Sequence, residues 1–182
     1  MGNNARRTTG PAGTGPTPLA RKLGIRPESR LRLTGAPPGF AVAGLPPGVV
    51  VRIDPTGNPD PTRATEPTGN PEPNGNPDPT RDAESADQDG ERDDVVVFFV
   101  TARADLMERC ARLAAGLTTA GGLWVCWPKR AAVRAGRAAT DLDDTVVRSI
   151  GLAAGLVDNK VCAVDEVWSG LRFVRRVSER SR

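Results

Sequence analysis

Apolar residues are concentrated in two segments of the chain, 17–54 and 94–177. Between them, residues 55–93 contain almost no apolar side chains and many Pro, Gly and Asn residues. The two apolar segments together are long enough to bury one modest hydrophobic core. The pattern therefore predicts a single domain over 17–177 that is interrupted by an insertion at 55–93.

The second apolar segment begins with the run 95–100, which is apolar throughout and is typical of a central strand covered on both faces. The next apolar positions recur at helical spacing, so we expect a helix there, ended by Gly121-Gly122. The run 123–127 predicts a further buried strand. The residues that define the helical face are Leu106, Cys110, Leu113 and Leu117.

The end of the chain predicts one more helix and two strands. Thr140 and Asp143 form a capping-box pattern before an amphipathic stretch that Gly155 ends. The strands predicted over 160–164 and 171–177 are only about six residues apart, whereas a parallel crossover needs a dozen or more. These two strands should therefore form an antiparallel hairpin.

The first apolar segment predicts a short helix from Thr17 as N-cap, with Pro18 at the first helical position and Gly24 at its end. Strands are expected at 30–34 and 49–53, joined by a proline-rich loop. Alternation of strands and helices indicates parallel pairing. The predicted fold class is α/β, a small Rossmann-like three-layer sheet that is mostly parallel and ends in an antiparallel hairpin.

The insertion repeats a Gly-Asn-Pro-acid-Pro motif, at residues 57–61, 69–73 and 75–79. Proline and the lack of apolar side chains predict a disordered, solvated linker, and 1–16 and 178–182 should be disordered tails. The insertion holds ten acids and three bases and is therefore acidic. Because the whole chain has a net charge of +3, the residues outside the insertion are strongly basic. The insertion either keeps the protein soluble, which we favour, or covers a site for anions. One acid per repeat is too few for a calcium loop.

Composition excludes much enzymology. The chain has no His and no Tyr, which removes the commonest general base and metal ligand. Cys110, Cys126 and Cys162 are too scattered for a metal or redox motif, and Cys126 lacks a histidine to activate it. No signal segment or membrane-length apolar run is visible, which favours a cytoplasmic protein with reduced thiols and no membrane partner. Nothing in the sequence calls for a metal or a cofactor.

Six stretches carry a family resemblance. The chain resembles the mainly actinobacterial family called "domain of unknown function 3052", and its predicted ending resembles the C-terminal half of class I methyltransferases. The resemblance implies a fold and no particular activity. The stretches are TPLARKLGI (17–25), GAPPGF (35–40), LWVCWPK (123–129), TDL (140–142), GLAAGLVD (151–158) and KVCAVDEVWSGLRFVR (160–175).

Methyltransferase chemistry would need a Gly-rich turn after the first strand. The candidate turn, 35–39, has the wrong spacing and contains two prolines that remove backbone donors. Asp54, at the end of the second strand, stands where such folds place a ribose-binding acid. Without a crossover helix between these strands, we expect at most a degenerate S-adenosylmethionine-dependent methyltransferase.

Ligands of open parallel sheets bind beyond the carboxyl ends of the strands. Trp127 and Lys129 follow one predicted central strand, and Lys129 there either binds a phosphate or carboxylate or is simply exposed. Asp165, Glu166 and Trp168 follow the next strand. They are either a ligand-binding group, in which a buried carboxylate could act as a general acid or base, or, as we favour, a hairpin turn whose Trp168 packs on the sheet and whose acids pair with Arg172 or Arg175.

The leading interpretation is a non-catalytic domain that binds a small anionic ligand or a protein partner near Lys129. The alternative is nonspecific nucleic-acid binding, because arginines cluster in the predicted loop 130–137 and at the C-terminus. Aromatic residues, at 4%, leave little for base stacking, and no nucleic-acid-binding motif is visible. The degenerate methyltransferase is the third reading.

Overall fold

The computed structural model describes residues 17–55 and 92–176. The predicted tails, 1–16 and 178–182, and nearly all of the predicted insertion lie outside the described residues. In chain order the helices and strands are α1 Leu19–Leu23, β1 Arg30–Thr34, β2 Val50–Asp54, β3 Asp93–Phe99, α2 Arg103–Ala115, β4 Leu117–Pro128, α3 Arg130–Arg134, α4 Asp144–Ala153, β5 Leu156–Ala163 and β6 Trp168–Arg175.

The six strands form one sheet in the order β2-β1-β3-β4-β6-β5. The first four strands in this order pair in parallel. β6 then runs antiparallel to both of its neighbours, β4 and β5. The protein is therefore an α/β protein with a mostly parallel sheet that ends in an antiparallel pair, which confirms the predicted fold class.

Both faces of the sheet are covered by apolar cores, which gives three layers. On one face, here called the α2 face, the core includes Phe98, Leu106, Val125, Val147 and Phe173, from the sheet and from helices α2 and α4. On the other, the α1 face, the core is formed by α1, the loop after β1 and alternate residues of the strands. Its members include Leu23, Val42, Val97, Phe99, Trp124 and Trp168.

The central strand confirms the predicted two-sided burial, because every residue from Val95 to Phe99 is at most 3% exposed. β3 begins earlier than predicted, at Asp93, the last residue assigned to the insertion. Arg32 explains the difference, since its Nε donates a 2.6 Å hydrogen bond to the Asp93 carboxylate. The ion pair lets an acidic residue occupy a buried position at the start of the strand.

Two expectations for the region after α2 were wrong. Leu117 begins β4 instead of completing the helix, and Gly121-Gly122 lies inside β4. The helix ends at Gly116, and the Arg175 guanidinium donates hydrogen bonds to the nearby carbonyls of Ala114 and Leu117 at 3.0 and 3.3 Å. A cation on these carbonyls stabilises the helix end without a glycine pair.

The remaining differences concern element ends. α1 is preceded by Pro18 as N-cap, with no side-chain cap, so Thr17 does not cap it. Asp143 caps α4 by accepting a hydrogen bond from the Val146 amide, whereas the Thr140 hydroxyl donates to the Thr101 carbonyl. The predicted loop 130–137 contains the short helix α3. β5 begins at Leu156, directly after Gly155, and therefore earlier than the predicted start at residue 160.

Candidate functional site

Lys129 lies just after β4, as expected, but its side chain is engaged in holding two elements together. Its Nζ donates a hydrogen bond to the Asp165 carbonyl, and its backbone amide donates to the Val167 carbonyl at 2.8 Å. These contacts tie the end of β4 to the β5–β6 turn. The ammonium keeps donors for an anion, but its position already has a structural explanation.

Asp165 and Glu166 occupy the turn between β5 and β6. The Asp165 carboxylate accepts hydrogen bonds from the amides of Val167 and Trp168, both at 2.7 Å. Glu166 is exposed, and its carboxylate lies 3.7 Å from the Arg137 guanidinium. The arginine beside it is therefore Arg137 and not the predicted Arg172 or Arg175. Asp165 thus closes the turn, and its carboxylate serves the backbone of that turn.

The two tryptophans of the predicted site are on opposite faces of the sheet. Trp168 belongs to the α1-face core and packs edge-on against Phe99, with ring centroids 5.1 Å apart. Trp127 belongs to the α2-face core and borders a cavity of about 330 Å³. Of the five predicted residues, Trp127 and Lys129 line this cavity together, and Asp165, Glu166 and Trp168 are not among its lining residues.

The positive charges around the Trp127 cavity are largely compensated. Arg130 lies 3.9 Å from Asp143, and Arg148 donates a 2.9 Å hydrogen bond to Asp158. Asp143 and Asp144 also line the cavity. Since Arg130 and Arg148 are paired with acids and two acids line the cavity beside Lys129, it offers an anion little net attraction.

Asp54, the candidate ribose-binding acid, faces the α2 layer. Its carboxylate lies 3.5 Å from the guanidinium of Arg109, a residue only 8% exposed that also stacks 5.0 Å from the Phe98 ring. The Asp54 carbonyl accepts the Gly35 amide at 3.0 Å. Asp54 and the candidate turn are thus used to hold β1, β2 and α2 together.

A second cavity, which sequence analysis did not predict, is strongly basic. It has a volume of about 480 Å³ and lies on the α1 face, between α1 and the strands β5 and β6. We call it the α1–β5 groove. The described residues that line it include five cations and no acid, and the cations are Arg21, Lys22, Arg26, Lys160 and Arg172.

The groove is built by the docking of α1 onto the sheet. The indole Nε1 of Trp124 donates a buried 2.9 Å hydrogen bond to the carbonyl of Leu23, whose side chain is fully buried. Lys160 Nζ donates to the Lys22 carbonyl at 2.8 Å. The last turn of α1 carries Arg21 and Lys22, as expected at a negative helix end. These contacts place the side chains of Arg21, Lys22 and Lys160 around one space.

Arg172 reaches the groove because β4 has no side chain beneath it. A Cβ on Gly122 would lie 2.6 Å from Arg172 Nε, so the glycine lets the guanidinium take this position. Lys160 is directly opposite Arg172 in the β5–β6 register. Like charges opposite each other on neighbouring strands destabilise a sheet, and a bound anion would offset that repulsion.

Nothing in the local sequence announces this groove. Lys22 and Lys160 are 138 positions apart and meet only after α1 docks on the sheet. The one available signal was that Arg21, Lys22, Lys160 and Arg172 all fall within the stretches that carry the family resemblance.

Four of the arginines considered for nucleic acid have different surroundings in the described part of the chain. Arg172 belongs to the α1–β5 groove, while Arg175 contacts the carbonyls at the end of α2. Arg137 is near Glu166, and Arg130 is near Asp143. Arg180 and Arg182 lie outside the described residues.

The cysteines lack the properties of nucleophiles. Burial raises the pKa of Cys110 to about 11, and burial, with smaller effects of Cys162 and Asp165, raises the pKa of Cys126. Burial also raises the pKa of half-buried Cys162, against the lowering effect of Lys160, Lys22 and Lys129. Thiols rather than thiolates are therefore expected at neutral pH.

Within residues 17–55 and 92–176, three or more His, Cys, Asp or Glu side chains do not gather in a way that could hold a metal ion. Helices of a length and apolarity that could cross a membrane are likewise absent from this part of the chain.

No protein-family description matches the chain, and no curated protein is detectably similar to it. Among solved structures, the chain is similar to the magnesium protoporphyrin IX methyltransferase of Synechocystis PCC 6803, which was crystallised with bound SAH. The identity is 15% and the TM-score is 0.38, over 49% of this chain and 48% of that one. The chain thus spans about half the length of that enzyme. This similarity says nothing about what the chain binds.

Proposed function

We propose that the protein binds a small, multiply charged anion in the α1–β5 groove. The observation that carries the proposal is the set of five cations around a cavity of about 480 Å³ that no acidic residue lines among the described residues. Ligand cavities in proteins range from roughly 300 to 1,000 Å³. The groove therefore has the size for a phosphorylated metabolite or a nucleotide.

Phosphate is the group that this arrangement suits best. Arginine presents a planar fork of donors that matches the oxygens of a phosphate, and lysine supplies a compact charge. The groove offers both kinds of side chain, with Arg172 and Lys160 side by side on the sheet and Arg21 and Arg26 on the opposite wall. The proposed role is binding without catalysis, since the groove lining holds no general acid or base of ordinary pKa near neutrality.

The test is a thermal-shift titration of the full chain with pyrophosphate, inorganic phosphate, nucleoside phosphates and sugar phosphates. Wild-type protein should be stabilised by several degrees at millimolar pyrophosphate. Arg21→Ala and Lys160→Ala should each remove most of that shift, because both residues line the groove. Absence of a shift with every phosphate compound would overturn the proposal.

Two control variants make the test specific. Arg112→Ala removes an exposed arginine from α2, on the other face of the sheet, and should leave the shift unchanged. Lys129→Ala tests the site predicted from sequence. A shift that survives Arg21→Ala and Lys160→Ala but is lost in Lys129→Ala would move the binding site to the end of β4.

A further inference from the structure

We propose that β2 is a self-association surface, at which two copies of the chain pair their edge strands antiparallel around Ile53. β2 is one of the two edges of the sheet. Of the seven large apolar residues that are exposed in the described part of the chain, three are on this five-residue strand: Val50 at 52%, Val51 at 39% and Ile53 at 68%. Apolar β-branched residues are thus exposed on both faces of an open edge.

The other edge strand, β5, shows how this protein blocks pairing where pairing is unfavourable. Its register shifts between Asp158 and Lys160, which marks an irregularity that bends the edge. Bulges and charged side chains are the usual devices that prevent edge-to-edge association. β2 instead pairs with β1 in an unbroken register from Val50 to Asp54, although it carries the charged residues Arg52 and Asp54 and is followed by Pro55. Of the two edges in the described part of the chain, β2 is therefore the one with a regular, partly apolar strand.

The backbone groups of β2 that point outward can be assigned from its pairing with β1. The Val50 amide donates to the Ser29 carbonyl, and the Asp54 carbonyl accepts from the Gly35 amide, both at 3.0 Å. Since successive residues of a strand point their backbone groups in opposite directions, those of Val51 and Ile53 face away from β1. A second strand can both accept and donate at Ile53, whereas Pro55, which follows β2 and has no backbone N–H, limits the pairing beyond it.

Charge selects both the partner and the register. In an antiparallel pair, each step forward along one strand is matched by a step backward along the other. When Ile53 is opposite Ile53 of a second copy, Arg52 of each copy is therefore opposite Asp54 of the other. The two isoleucines then contact on one face and two opposite-charge pairs form on the other, an arrangement that stabilises a sheet. Centring the pair on Arg52 would instead place two arginines opposite each other. The Asp54 carboxylate contacts Arg109 on its own chain, and its side chain is 29% exposed, so the second copy's arginine would have to share it.

The first test is the oligomeric state of the full chain by sedimentation equilibrium, from low to high micromolar concentration. We expect a reversible dimer, because the pairing strand is short. Ile53→Lys should make the protein monomeric, and its exposed position means that the monomer should still fold. Val161→Lys, at a residue 59% exposed on β5, is the matched control and should remain dimeric. A wild-type monomer at every concentration, or a dimer that survives Ile53→Lys, would overturn the proposal.

The second test examines the register. Residues opposite each other in a hydrogen-bonded antiparallel pair have Cα atoms about 5.5 Å apart, which suits a disulfide. In a Cys162→Ser background, Ile53→Cys should therefore form a covalent dimer under mild oxidation, and Val161→Cys should not. Failure of Ile53→Cys to cross-link, in protein that sediments as a dimer, would contradict pairing around Ile53.

Discussion

At the scale of single residues, Gly122 and Arg172 depend on each other most clearly, because the missing side chain of Gly122 leaves space for the Arg172 guanidinium. The sequence predicts that Gly121-Gly122 ends a helix. This prediction is wrong, because both glycines lie inside β4. Local sequence could not show that Arg172, fifty residues later, needs that space.

Gly122→Ala should weaken pyrophosphate binding in the α1–β5 groove and change the free energy of unfolding little, because the atoms that must shift are the end of a flexible arginine side chain. The new Cβ would lie 2.6 Å from Arg172 Nε and displace the guanidinium from the groove. Urea unfolding and the pyrophosphate thermal shift measure the two effects. Gly116→Ala is the control, because the nearest atom to its Cβ would be 3.6 Å away. Equal binding by Gly122→Ala and wild type would contradict the placement of Arg172.

The Cys110 thiol makes a pH prediction. Its pKa in the folded protein is raised by burial from 9.0 to about 11, so the unfolded chain loses this proton first. Its contribution to stability is therefore complete below pH 9 and is lost as the pH rises toward 11, by roughly 2–3 kcal/mol in total. Urea unfolding from pH 8 to 11 should show a shallower decline in Cys110→Ala than in wild type. Parallel declines in the two proteins would contradict the buried-thiol assignment.

At the scale of elements, the docking of α1 decides whether the groove exists. α1 has five residues, and an isolated helix of that length is unstable in water. Its position therefore depends on tertiary contacts, of which the buried hydrogen bond from Trp124 to the Leu23 carbonyl is the most specific. Pro18 and Gly24 predict the helix from the sequence, but the tryptophan that anchors it is a hundred residues away.

Trp124→Phe should free α1 while leaving the sheet folded. The change removes a buried hydrogen bond and part of a buried ring, at a cost of about 2–3 kcal/mol. Amide hydrogen exchange in residues 19–25 should accelerate more than exchange in β3. Trp127→Phe, on the α2 face of the same strand, is the matched control and should leave exchange in α1 unchanged. Identical exchange profiles for the two variants would show that Trp124 does not hold α1.

At the scale of the whole molecule, the fold was the most predictable feature. A continuous apolar run gave the central strand, and the short separation of the last strands required an antiparallel pair. These conclusions depend on local pattern and chain length alone. The basic groove could not be predicted, because it depends on which face of the sheet each strand residue occupies and on contacts between distant segments.

Nucleic-acid binding is the alternative that the distribution of charge argues against. In the described part of the chain, several arginines are engaged with acids or helix carbonyls, among them Arg148, Arg137 and Arg175. We expect duplex DNA to bind weakly and to be released at physiological salt, as measured by fluorescence anisotropy. Tight binding that falls steeply and linearly with the logarithm of salt concentration would favour the nucleic-acid role instead.

The most direct test of the proposed anion site is the mapping of amide chemical shifts in ¹⁵N-labelled full chain during titration with pyrophosphate. Saturable shifts are expected in residues 20–26, in α1 and just after it, and at Lys160 and Arg172, all of which line the groove. Amides of Lys129 and of residues 165–168 should stay unchanged. Saturable shifts centred on Lys129 and the β5–β6 turn, with α1 unaffected, would contradict the account and return the site to the end of β4.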